Sequence, residues 1–113
     1  MITLYGIPTC SSVQKARRFL KERGIEHAFV DFRKTPVDRA TIDRWLKRCE
    51  IQTLFNSRGT KYRTLGLAGH TLSEEDKATW LAKENLLIKR PVIELADGAL
   101  LVGYDENRYT EHF

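Results

Sequence analysis

Cysteine is scarce in this chain. Cys10 and Cys49 are the only two among 113 residues, too few and too far apart for a disulfide framework. There is no C-x-x-C, because Val13 stands three places after Cys10. His27, His70 and His112 are isolated from one another and from both cysteines, so no zinc-type spacing exists and no metal is expected. No apolar run approaches the roughly 20 residues that span a bilayer, which argues against a membrane protein. The start, "MITLYGIPTC", lacks the basic-then-apolar form of a signal peptide, and a cytoplasmic protein is the expectation. Helix-turn-helix, zinc-finger and basic-aromatic strand motifs are all missing, so direct nucleic-acid contact is not expected. No tightly bound cofactor is indicated either.

What the chain does have is a single domain's worth of sequence, 42% hydrophobic and 30% charged, with a net charge of +4. The charges run along the chain. The densest stretch, "QKARRFLKERG", mixes both signs and reads as a solvated helix face. "MITLY" alternates like a short strand that Gly6 and Pro8 end. From Ser11 the period turns helical, with Val13, Ala16 and Leu20 on one face, until Gly24 stops it. "EHAFVDF" is a second strand, which makes the opening a βα-β unit. "KTPVDRATIDRWLKRC" predicts a helix with a start signal of Thr35, Pro36 and then Asp38, Pro36 lying in the first turn, and an apolar stripe of Ile42, Trp45, Leu46 and Cys49. "LFNSRGTKYRTLGLAG", interrupted by three glycines, reads as loop, and "SEEDKATWLAKENLL" as a helix capped by Ser73. "PVIEL" and "ALLVGY" are strands joined by a turn at Asp97-Gly98, and "DENRYTEHF" a short final helix. The order predicts an α/β, thioredoxin-like fold, with a helical insertion at about residues 35–88 between the βαβ unit and the C-terminal hairpin.

The informative stretch is "YGIPTCSSVQKARRFL", which places a thiol on the threshold of a helix. The first N–H groups of a helix lack internal partners and carry the positive end of its dipole. They stabilise a thiolate, lowering a thiol pKa from about 8.5 toward neutrality, and they can cradle an anion. Cys10 therefore reads as a nucleophile, with Ser11 and Ser12 supplying first-turn amides and hydroxyls. The competing reading of Cys10 is a small residue filling a strand-to-helix turn. Cys49, on its apolar stripe, reads as core. Arg58, in the loop "NSRGTKYR", and Arg90, directly before Pro91, each offer a fork of donors suited to oxyanions; each also reads as an ordinary surface charge. The Arg90–Pro91 bond is a candidate for the cis form.

"YGIPTCSSVQKARRFLKERGIEHAFVDFR", "LFNSRGTKYRTLG", "LIKRPVIEL" and "LLVGYDE", in that order, resemble the landmarks of the arsenate reductase family. The chain is most similar to the branch of Spx-type regulators and the small glutathione-dependent thiol reductases related to them. The resemblance implies a thioredoxin-like fold with a helical insertion. It implies Cys10 as nucleophile, Arg90 and Arg58 as anion-holding or thiolate-stabilising groups, and Pro91 as the active-site proline, typically cis. The expected activity is a monothiol reductase working with glutathione or a glutaredoxin on a small oxyanion or disulfide; an Spx-like regulator that binds RNA polymerase is the alternative. Three departures bear on this. Glutaredoxin-linked arsenate reductases carry a further arginine in the hairpin-end segment, where this chain reads "VGYDE" with Gly103, which disfavours arsenate. Val13 replaces the second cysteine of the Spx redox switch. "KRCEIQT" stands where Spx-type proteins have their glycine-bearing polymerase segment.

Overall fold

The computed structural model describes residues Met1–Phe113. They divide into two units, one made of residues 1–35 and 90–113 and the other of residues 36–89.

The first unit is built on four strands, β1 (Ile2–Gly6), β2 (His27–Asp31), β3 (Val92–Glu94) and β4 (Leu100–Val102), in the order β2-β1-β3-β4. β1 pairs parallel with β2 and antiparallel with β3, so that Leu4 lies between Phe29 and Ile93; Ile93 in turn faces Leu101 of β4. Helix α1 (Ser11–Glu22) buries Val13, Ala16, Phe19 and Leu20, the face that its helical spacing predicts. These residues form one core with Leu4, Ile93, Leu101 and Tyr109. Tyr109 belongs to the final helix, α6 (Glu106–His112), which Asp105 caps through the Arg108 N–H at 3.2 Å. Its ring meets Phe19 edge-on at 5.4 Å, and its hydroxyl donates to the Gly103 carbonyl at 2.7 Å. Burial pushes the Tyr109 phenol far above its usual range, so it stays a donor at any physiological pH. The β3–β4 turn is organised as expected: Gly98 adopts a φ of 88° and the Asp97 carboxylate accepts the Ala99 N–H.

The second unit is helical. Of the start signal, Asp38 is the residue that caps the helix, while Thr35 and Pro36 lie before it and Pro36 is not in the first turn. The Thr35 N–H donates to Asp31 in the turn that closes β2, and α2 (Arg39–Leu46) begins after Asp38, whose carboxylate accepts the Thr41 N–H and hydroxyl. Nor does this helix reach Cys49, although Ile42 and Trp45 are buried as its stripe requires. The stretch expected as loop contains α4 (Thr60–Thr64) and a 3₁₀ turn at Leu67–Gly69, and α3 (Ile51–Leu54) precedes it. Its glycines lie at the ends of these short helices rather than inside them: Gly59 is the N-cap of α4, and Gly66, at a φ of 68°, precedes the 3₁₀ turn. Helix α5 (Glu74–Lys83) carries the expected Ser73 cap, completed as a capping box by Asp76. It stops short of the predicted end, and Asn85–Leu87 form a separate 3₁₀ turn. Arg39 joins α2 to α5, donating to both oxygens of Glu75 at 2.8 Å, and this holds the Glu75 carboxyl below the usual carboxylate range.

Asn85 accounts for the break after α5. Its amide oxygen accepts the Val37 N–H at 2.8 Å, while its NH₂ donates to the Val37 and Leu81 carbonyls at 3.2 and 2.9 Å. All of this is buried, so the chain entering α2 is tied to the end of α5 by side-chain bonds that water does not replace.

The sheet with its flanking helices is a thioredoxin-like fold, and residues 36–89 are its helical insertion. No helix is long and apolar enough to cross a membrane. Replacement of Asn85 by alanine strands both Val37 backbone groups and is expected to cost about 2–4 kcal/mol by urea denaturation. Asp38 gives a pH signature. Its carboxyl is held below its ordinary value of 3.8, first by the Thr41 backbone N–H and then by the Thr41 hydroxyl. A lowered folded-state pKa contributes stability above the unfolded value, and that stability is lost as pH falls through the folded one. The difference in melting temperature between wild type and Asp38→Ala should therefore be full near neutrality and shrink below about pH 4.

Candidate active site at one end of the sheet

The strand register brings the sequence-predicted residues of the first unit to one end of its sheet. β1 and β2 end there, β4 ends there and β3 begins there, since Tyr5 pairs with Val30 and Val92, and Val92 with Val102. The loop after β1 carries Cys10, the residue before β3 is Pro91, and the residue after β4 is Gly103.

Cys10 is the N-cap of α1. Its backbone is extended (φ −77°, ψ 125°), its N–H closes a turn onto the Ile7 carbonyl at 3.2 Å, and its carbonyl accepts the Gln14 N–H at 3.0 Å. The side chain is half-buried and makes no capping bond, so the sulfur is not spent on closing the helix. Ser11, exposed, and Ser12, half-buried, open the first turn. The Cys10 thiol is free and sits at the positive end of a twelve-residue helix.

Two contacts fix this loop: one is made by Gly6 and Val13, and the other by Gln14, which the motif reading passed over. A Cβ on Gly6 would come within 2.5 Å of a Val13 methyl carbon, so the end of β1 and the first turn of α1 approach as closely as a glycine permits. Val13 is fully buried there; the position that a second cysteine would take in a dithiol motif is a packing position in this chain. The Gln14 side chain then reaches back to donate to the Pro8 carbonyl at 2.9 Å. Glutamine at the fourth position of a helix behind a proline loop was the available signal for that bond.

Across the sheet end, the Arg90–Pro91 bond is cis. Pro91 is buried and its carbonyl accepts the Gly103 N–H at 2.8 Å, while Arg90 is half-buried with its Nε shielded from solvent. Gly103 is buried at a φ of 81°, and its carbonyl receives the Tyr109 hydroxyl. A residue with a side chain at this position would need a backbone conformation that side chains rarely adopt, so this turn is built for glycine.

Arg58 and Cys49 belong to the helical unit. Arg58 is exposed in the turn before α4, where the Asn56 side chain accepts its N–H at 3.1 Å and packs over Gly59. Cys49 lies beyond the end of α2, half-buried, donating its S–H to the Trp45 carbonyl at 3.5 Å, and burial pushes its thiol upward. The two cysteines thus occupy opposite environments. No group of three or more His, Cys, Asp or Glu side chains is placed to hold a metal ion. The Gly6–Val13 contact is testable: Gly6→Ala should destabilise the protein by about 1–3 kcal/mol and slow the reaction of Cys10 with a disulfide reagent, with partial recovery in Gly6→Ala/Val13→Ala.

Residues 5–112 match the model of the ArsC family. Over 114 residues the chain is 35% identical to an uncharacterized protein of Haemophilus influenzae, covering 100% of this chain and 99% of that one. It is 28% identical over 108 residues to the global transcriptional regulator Spx 2 of Lactococcus lactis, covering 94% of this chain and 81% of the regulator. Among solved structures, an arsenate reductase (ArsC) related protein from Brucella melitensis is similar at a TM-score of 0.77 and 33% identity, over 99% of this chain and 93% of that one. A family match that runs almost from end to end, over a chain with a thiol at a helix start, leaves one assignment: the chain belongs to the ArsC family.

Proposed function

We propose that the protein is a monothiol reductase whose nucleophile is Cys10. The observation that carries this reading is the position of Cys10, an uncommitted thiol at the N-cap of α1 with the helix amides opening toward it. The Cys10 thiolate attacks one sulfur of a disulfide; a new S–S bond forms at Cys10 and the other sulfur departs as a thiolate with the bonding electrons. Val13 leaves no second cysteine in the motif to complete the exchange, so an external thiol, glutathione or a glutaredoxin, attacks the mixed disulfide and returns Cys10 to the reduced state. Arg90, held at its root by the cis proline, supplies positive charge at the same end of the sheet, and Ser11 and Ser12 line the first turn. Arg58 is the further cation that the family resemblance brings in. The substrate class is a disulfide or a small oxyanion, with arsenate disfavoured by Gly103.

A second reading, a transcription regulator that contacts RNA polymerase, draws on the Spx 2 relative. A pull-down of the wild-type protein against RNA polymerase at low salt separates the two; the reductase reading expects no retention.

Intact-protein mass spectrometry after incubation with oxidised glutathione tests the thiol itself. One adduct is expected in wild type and in Cys49→Ala, and none in Cys10→Ser. Labelling at Cys49 should be minor, because burial pushes that thiol upward. Slow labelling, or labelling chiefly at Cys49, would refute the assignment.

A further inference from the structure

The net charge of +4 is not evenly distributed in effect. Residues 11–23 hold Lys15, Arg17, Arg18, Lys21 and Arg23 against the single carboxylate Glu22, while the remaining residues carry equal numbers of both signs. The whole surplus therefore resides on α1 and the residue after it. None of these five cations forms an ion pair. Two of them rest on aromatic rings instead, Arg17 over Phe29 at 4.2 Å and Arg23 over Phe19 at 3.7 Å, which holds their charge against the surface without neutralising it.

The placement is directional. Gln14, Arg17, Arg18 and Lys21 recur at i, i+3, i+4 and i+7, and Cys10 lies four residues before Gln14 on the same line. They line an open groove of about 800 Å³ whose far end is formed by Ile25, Glu26, His27 and Met1, a residue 81% exposed; Glu26 is the one carboxylate in the lining, against three cations from α1. At about 1.5 Å per residue the α1 side of the groove runs roughly 10 Å from Gln14 to Lys21, and Cys10 lies about one turn beyond its Gln14 end. A tripeptide thiol at Cys10 does not need such a track. An extended protein segment does.

We infer that this groove docks an acidic segment, carrying an apolar residue, of the protein that exchanges thiols with Cys10. This rests on the reading of Cys10 as an exchange thiol and names the class of its partner: a protein with an acidic surface around its reactive cysteine. Complementary charge along Arg17, Arg18 and Lys21 speeds the encounter and sets the register, and Met1 and Ile25 beyond them give the segment an apolar anchor.

The test uses two peptide disulfides of equal length, one glutamate-rich and one glutamine-rich, each with a leucine and with its cysteine joined to thionitrobenzoate. Attack by Cys10 on the peptide sulfur forms the mixed disulfide and releases the coloured thiolate. At low salt, wild type should react about tenfold faster with the glutamate probe, and the lead should vanish at high salt. In Arg18→Glu/Lys21→Glu, both sites being exposed, the lead should be lost while the rate with the glutamine probe is unchanged. Equal rates in wild type, or a lead that survives the double variant, would overturn the docking groove and leave Cys10 as the exchange thiol. Reaction with neither probe would overturn Cys10 instead, and the groove is then decided by anisotropy of a labelled, cysteine-free glutamate peptide on Cys10→Ser: binding lost on charge reversal upholds it, and no binding or unaltered binding overturns it. A single-stranded oligonucleotide of equal charge that binds Cys10→Ser more tightly than the peptide would also overturn it, in favour of a nucleic-acid surface.

Discussion

The close approach of Gly6 to Val13 is the constraint from which the rest of the first unit follows. With no Cβ at the end of β1, the first turn of α1 settles onto the strand, and Val13 becomes part of the core with Leu4 and Ile93. That contact sets where the helix starts, and the helix start sets where the Cys10 sulfur lies relative to the open amides. The Gln14–Pro8 bond then holds the intervening loop. A reactive thiol needs this sort of support from neighbours that do no chemistry, because its environment matters more than its identity.

Much of this was legible in the sequence, for reasons that can be named. Val13, Ala16 and Leu20 announced α1 because a helix that covers a sheet must be apolar on one side and may be charged on the other. Asp97-Gly98 announced the hairpin because few other dipeptides accept its backbone. The helical insertion was harder to read. Its glycines looked like interruptions, whereas they are the end-points of helices only one or two turns long, too short to show a period. Thr35-Pro36 looked like a helix start, yet the backbone there is spent on closing the turn after β2, and the cap falls to Asp38. Asn85 follows Lys83 and Glu84 like one more polar residue; only the fold shows that it serves the backbone of Val37, 48 residues away in sequence.

At the site, Cys10, Arg90 and Pro91 could be singled out by local grammar: a lone thiol before a helix and an arginine–proline pair before a strand. The register of β1 with β3 then carries them to one end of the sheet. Gly103 was notable only as a departure from a family pattern. The structure gives it a positive reason, a left-handed backbone whose carbonyl is claimed by the buried Tyr109 hydroxyl.

The distribution of indole rings has a practical consequence. Both tryptophans, fully buried Trp45 and half-exposed Trp80, lie in the helical insertion, and the unit that carries Cys10 contains none. Intrinsic tryptophan emission therefore follows the insertion alone, while the thiol reports on the sheet. Unfolding curves followed by the two signals observe different halves of the molecule. Whether they coincide measures how far the insertion and the Cys10 end of the sheet melt as one cooperative body.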